Sequence, residues 1–84
     1  MIVVFTDHAV HQMKERGISR ESIIEAMRLP DAVIIQKNTR RQAIKLFTAG
    51  KKQYCLVIIY EQKRFSGKII TAFITSKIKK YLIR

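Results

Sequence analysis

Apolar residues recur first at helical spacing and then at strand spacing. Ala9, Val10 and Met13 gather on one side of a helical wheel, with His8, His11 and Glu15 on the other, so the first third opens with a helix. Thr6 or Asp7 can cap it, and Gly17 supplies the left-handed residue that ends it. Ser19 then caps a second helix with an apolar stripe of Ile23, Ile24 and Met27 and with Glu21 in its first turn; Pro30 closes it. The spacing predicts an αα-hairpin with a two-residue joint, Ile18 being the apolar pin between the helices.

From Asp31 the rhythm becomes extended. Residues 32–36, 41–48, 53–61 and 68–75 are rich in β-branched and aromatic side chains and are separated by polar or glycine-bearing breaks, so they read as four antiparallel strands. Residues 2–5 are a candidate further edge strand, and residues 76–84 read as a basic tail or short helix anchored by Ile78, Tyr81 and Leu82. The expected fold is α+β, with the N-terminal αα-hairpin packed on one face of a four-stranded antiparallel sheet. Alternation in the second of these strands puts Gln42, Ile44 and Leu46 toward the helices and Arg41, Ala43, Lys45 and Phe47 on the other side. In the last strand Ile70, Ala72 and Ile74 oppose Ile69, Thr71, Phe73 and Thr75. Arg41 and Lys45 are thus expected to share an open face with Thr71, Phe73 and Thr75, a surface suited to single-stranded RNA.

Length and charge sharpen this picture. Eighty-four residues make one domain, 1–84, whose thin core buries roughly 60% of the surface exposed on unfolding. A content of 48% hydrophobic and 27% charged residues argues for a folded chain. The formal net charge is +11, and it is one-sided: residues 1–36 hold four basic and five acidic side chains, residues 37–84 thirteen and one. A one-sided field of this size points to an anionic partner such as a phosphate backbone. Cys55 is the single cysteine, so no intrachain disulfide and no cysteine-based zinc site is expected, and a reducing cytoplasm is the simplest setting. The apolar run at residues 54–60 falls short of the roughly 18 residues of a membrane span, and the N-terminus lacks the basic start of a signal peptide; neither membrane insertion nor export is expected.

Candidate chemistry is sparse. His8 and His11 with Glu15 share a helix side but lack a third nitrogen or sulfur ligand, so no metal is assigned and no cofactor is expected. His8, at a helix start, is the best proton carrier, since imidazole titrates near neutrality. Cys55 lies in the most apolar strand and reads as core. The isolated glycines Gly17, Gly50 and Gly67 form no phosphate loop, and one acidic residue after position 31 leaves no carboxylate pair.

The run FTDHAVHQMKERGISRESIIEAM, the Pro30–Asp31 step, the RRQAIKLF strand and the IITAF strand resemble a family of small prokaryotic domains of unknown function, marked by a His-Ala start and an Arg-Gly-Ile helix end. That family is similar in expected layout to the RelE-like toxins of the barnase, colicin and RelE ribonuclease group, in which two helices precede a curved sheet that cradles RNA. The resemblance places His8, Arg16, Arg41, Lys45 and Thr71 on matching positions. Two residues depart from the family pattern: Gln12 stands where arginine is common, and Phe73 where tyrosine is.

The resemblance implies a metal-independent endoribonuclease, the toxin of a toxin–antitoxin pair, which cuts RNA by attack of the 2′-hydroxyl and is silenced by a small acidic antitoxin. In this reading His8 moves the proton, Arg16, Arg41 and Lys45 stabilise the phosphate, and Thr75 and Lys77 position it; Arg40, Lys68, Thr71, Phe73, Lys79, Lys80 and Tyr81 bind the nucleic acid. Two other readings use the same basic surface: a non-catalytic RNA- or DNA-binding module, and a protein-interaction domain with an acidic partner.

Overall fold

A side-chain hydroxyl opens each of the first two helices. In the computed structural model, which describes residues 1–82, Thr6 Oγ1 accepts the Ala9 N–H at 3.1 Å and starts α1 (Asp7–Arg16). Ser19 Oγ accepts the Ser22 N–H at 3.1 Å and starts α2 (Arg20–Arg28). Asp7 is thereby not the cap but a first-turn carboxylate, complementing the helix dipole. Gly17, at φ 66°, takes the left-handed position that lets the Ile18 N–H turn back to Met13 O at 2.9 Å. Ile18 is buried between the helices and the sheet, as expected of the pin. Of the expected α2 stripe, Ile23 is buried and Met27 packs on the core, whereas Ile24 is 41% exposed and Ala26 is buried in its stead.

The sheet has five strands, β1 (Ile2–Phe5), β2 (Ala32–Lys37), β3 (Arg40–Ala49), β4 (Lys52–Gln62) and β5 (Ser66–Thr75), in the order β1-β5-β4-β3-β2. The expected four-stranded antiparallel meander is present within it, but the sheet as a whole is mixed, because β1 joins the far edge parallel to β5. Its strands also run one or two residues past the expected ends, shortening the turns. The C-terminal segment forms α3 (Ile78–Leu82); residues 83 and 84 of the expected tail lie outside the described residues.

The first sheet face is covered by the helices and the second over the rows beneath α3, which explains the unbroken apolar run of the central strand β4. On the first face Ala9, Met13, Ile18, Ile23 and Ala26 of the helices and their joint pack on Ala43, Leu56, Ile58, Tyr60, Ile69 and Ala72. On the second, Ile44, Cys55 and Val57 are buried with Ile34, Leu46, Ile59 and Phe73 beneath Ile78, Tyr81 and Leu82 of α3. Each fully buried Ile contributes about 1.5–3 kcal/mol from burial.

The face assignment expected for β3 is therefore inverted. Ala43 faces the helices, and Gln42, Ile44 and Leu46 belong to the second face. Alternation in hydrophobicity pointed the other way, because Arg41 and Lys45 flank Ala43 and make that set look solvent-facing. The helices, however, need small residues where they touch, and the row Ala43–Ile58–Ala72 provides two alanines. Arg41 and Lys45 carry their charged heads past the contact. In β5 the register slips between Tyr60↔Ile69 and Ile59↔Thr71, leaving Ile70 as an extra residue. The bulge moves Ile69 to the side of Ala72, while Thr71, Phe73 and Thr75 keep a common face.

Candidate nucleic-acid interface

Because β1 stops at Phe5, opposite Ile69, β5 has no strand neighbour on that side from residue 70 onward. Helix α1 lies against this bare edge and satisfies it with side chains. Thr6 Oγ1 donates to Ile69 O at 2.9 Å, and Arg16 Nη1 donates to Ala72 O at 2.7 Å and to Thr71 Oγ1 at 3.4 Å. The Thr71 hydroxyl in turn donates to Gln12 Oε1. A guanidinium has five N–H donors, and the contacts of Arg16 use one nitrogen of three; among the described residues it pairs with no carboxylate. His8, Gln12 and Arg16 follow one another at four-residue spacing and form one stripe of α1. His8 is exposed at its start, and the neighbouring His11 Nε2 lies 3.5 Å from Glu15 Oε1.

Thr71 also belongs to the second sheet face, whose rows follow from the register. Nearest the β4–β5 turn is a charged row, Arg40–Glu61–Lys68; next comes Gln42–Ile59–Thr71; then Ile44–Val57–Phe73 and Leu46–Cys55–Thr75, the two rows grouped with α3. The face thus holds a charged row at one end and α3 at the other, with Thr71 between. On the α3 side the Phe73 and Tyr81 rings meet edge to face with centroids 5.8 Å apart, and Lys80 Nζ lies 5.5 Å from the Tyr81 ring. Thr75 Oγ1 accepts the Lys77 N–H at 3.1 Å and so shapes the entry to α3, leaving the Lys77, Lys79 and Lys80 side chains exposed. In the charged row Arg40 Nη2 contacts Glu61 Oε1 at 3.0 Å, with Lys63 Nζ 3.6 Å from the other oxygen. The Arg40 hydrogen bond, helped by Lys63, holds the Glu61 carboxyl below its ordinary value. Lys68 pairs with no carboxylate among the described residues and is exposed.

Eight of the expected site residues, Arg16, Thr71, Phe73, Tyr81, Lys80, Thr75, Lys68 and Arg40, therefore bear on the second face or its β5 edge. Two are elsewhere. Lys45 Nζ donates to Leu29 O at 2.8 Å and caps the C-terminus of α2, and Arg41 Nη1 donates to Asn38 O at 2.6 Å and Arg40 O at 3.2 Å. Both stand on the helix-covered face, where Arg41 also moderates the rise that burial imposes on the Tyr60 phenol. The expectation that Arg41 and Lys45 share an open face with Thr71, Phe73 and Thr75 fails because the sheet lies between them. A cleft of about 360 Å³ on the helix face is lined largely by apolar residues, and its one lining cation, Lys45, is the residue already engaged with Leu29.

Gln12 and Gln42 were missed as site residues. Gln12 could have been found from its place midway between His8 and Arg16 on one helix stripe. Gln42 is 5% exposed and accepts the Gln36 amide at 2.9 Å. Its burial depends on the sheet register and on Gln36 across the strand pair, and no local pattern reports it.

The profile of the family described as domain of unknown function (DUF4258) matches residues 5–74. The chain belongs to that family. No curated protein and no solved structure matches it. The DUF4258 span contains His8, Gln12, Arg16, Lys68, Thr71 and Phe73; Thr75 and the residues of α3 follow it. The interface described above thus joins the α1 stripe of the DUF4258 domain to a basic helix outside the matched span.

Proposed function

We propose that this protein binds single-stranded RNA along the second sheet face, with phosphates on Arg16, Lys68 and Lys80 and bases against Phe73 and Tyr81. The observation that carries this reading is the meeting of Arg16, Gln12 and Thr71 at the bare edge of β5, two residues along the strand from the Phe73–Tyr81 pair. A guanidinium with free donors suits a phosphate, a hydroxyl and an amide suit base edges or a 2′-hydroxyl, and aromatic rings suit unpaired bases. The charge of residues 37–84 supplies the long-range attraction. Fluorescence anisotropy with an unstructured oligoribonucleotide tests the reading: the wild type binds, and Arg16→Ala and Thr71→Val each weaken binding. Binding unaffected by both variants would remove the interface.

A second reading, the toxin-type endoribonuclease, is favoured by His8 occupying the same α1 stripe as Arg16. Eight residues of helix place their backbones about 12 Å apart, so a strand lying along α1 passes both. In that reaction the 2′-oxygen forms a bond to the adjacent phosphorus as the bond to the 5′-oxygen breaks. His8 takes the 2′-hydroxyl proton or gives one to the departing oxygen, and Arg16 faces the added negative charge. The products are a 2′,3′-cyclic phosphate and a 5′-hydroxyl. Cleavage in the presence of a chelator, blocked by a 2′-methoxy group at the cut site and slowed about 10²–10⁴-fold by His8→Ala, supports it. Binding without cleavage leaves the first reading alone. An acidic antitoxin segment would occupy the same face and compete with RNA.

A further inference from the structure

The β4–β5 turn carries an aromatic ring that the fold leaves in water. Phe65 is 71% exposed, the most exposed of the large apolar side chains among the described residues. Its backbone is nevertheless fixed from two sides. The Phe65 carbonyl accepts the Ile2 N–H at 2.9 Å, which ties the turn to β1, and the Lys63 N–H donates to Ser66 O at 2.8 Å, which closes it. A ring presented on a backbone already ordered loses less freedom on binding than one on a frayed tip.

The surroundings of the ring are cationic. The Arg64 guanidinium carbon lies 5.2 Å from the Phe65 centroid, and Lys63 and Lys68 flank the turn in sequence. Glu61 is the one acidic residue after position 31, and it is already shared by Arg40 and Lys63. Arg64 and Lys68 pair with no carboxylate among the described residues. An exposed π-face with a guanidinium alongside and surplus positive charge matches a nucleotide, whose base stacks while its phosphate pairs with the cation.

We infer that the β4–β5 turn is a second nucleic-acid subsite, in which Phe65 stacks an unpaired base and Arg64, with Lys68, holds the adjoining phosphate. The inference rests on the single-stranded RNA reading above and extends it. Phe65, just before β5, and Phe73 within it are eight positions apart, about 26 Å of extended chain, and Lys68 lies between them. One RNA strand is then long enough to reach from the Phe73–Tyr81 pair past Thr71 and Lys68 to the turn that precedes β5. At a stacked rise of about 3.4 Å per nucleotide, a decanucleotide spans that path.

The test uses decanucleotides carrying the fluorescent base 2-aminopurine at one end or the other, titrated against wild type, Phe65→Ala, Phe65→Trp and Tyr81→Ala. Phe65→Ala is expected to weaken binding about five- to 150-fold and to abolish the stacking signal at one end only. Phe65→Trp, which keeps a π-face, retains both the affinity and the signal, and Tyr81→Ala abolishes the signal at the opposite end. Because Phe65 is exposed, thermal unfolding of its variants should match that of the wild type. If wild type and Phe65→Ala bind equally and keep both signals, the subsite is refuted while RNA binding stands, and the bare ring is left as a contact for a protein chain. If the wild type binds neither decanucleotide, the RNA reading fails and the subsite fails with it.

Discussion

Replacing Lys68 and Lys80 together by glutamine removes one exposed charge from each end of the second sheet face and leaves every hydrogen bond identified above in place. On a single strand each neutralised phosphate contributes about 0.7 to the slope of log affinity against log salt, so the double variant should have a slope shallower by about 1.4. Between about 50 and about 200 mM salt, a fourfold change, the wild type should then lose about sevenfold more affinity than the variant. Arg41→Gln with Lys45→Gln is the matching control: the same two charges are lost, but from the helix-covered face and from side chains engaged with Asn38 O and Leu29 O. Its slope should stay that of the wild type. Anisotropy titrations at four or more salt concentrations, at a temperature where all three proteins are folded, give the comparison. Equal flattening in the two pairs would mean that RNA senses only net charge, and flattening in the control pair alone would place the strand on the opposite face; either result refutes the interface.

Lys45→Met removes the charge-assisted bond to Leu29 O at the end of α2 and should cost about 0.5–2 kcal/mol, read as a fall in Tm of about 4–8 °C per kcal/mol, with RNA affinity unchanged. The Glu61 carboxyl is held below its ordinary value of 4.5 chiefly by Arg40, so its link stabilises the fold above the unfolded value and is lost as pH falls through the lower folded one. Urea midpoints for wild type and Glu61→Gln should accordingly differ at pH 6 and converge in strong acid; a gap independent of pH would refute the pairing. Burial raises the Cys55 thiol above its ordinary value and leaves no exposed surface, so native protein should react with a thiol reagent far more slowly than unfolded protein. Tyr81→Ala, by loosening α3 over the second core, should speed that reaction, and an unchanged rate would show that α3 does not guard Cys55.

Local chemistry was enough to place most elements. A hydroxyl at Thr6 and Ser19, a glycine at position 17 and a proline at position 30 act within a few residues of themselves, and the two helices begin and end where those groups direct. Strand positions were legible from β-branched runs for the same reason, and the anchors Ile78, Tyr81 and Leu82 of α3 from their spacing. The one-sided charge, the core place of Cys55 and the grouping of Thr71, Phe73 and Thr75 on one face were also readable directly. The continuous apolar run of β4 carried a further message, that β4 is covered on both faces along that run, which alternation in β3 alone could not convey.

Tertiary structure decided the rest, because each remaining choice depends on partners far apart in the chain. Whether β1 pairs at all, and in which direction, depends on β5, 64 positions on at Ile2↔Ser66. Which face of β3 meets the helices depends on the room left by Ala43 and Ala72 together, not on the mean polarity of either strand. The bulge at Ile70 reverses the alternation on which any count from Ile69 relies. Those three features removed Arg41 and Lys45 from the candidate site and brought Arg16 and Gln12 to Thr71. Side-chain chemistry names the groups that can meet an anion, but only the register and the stacking of layers determine which of them face it together.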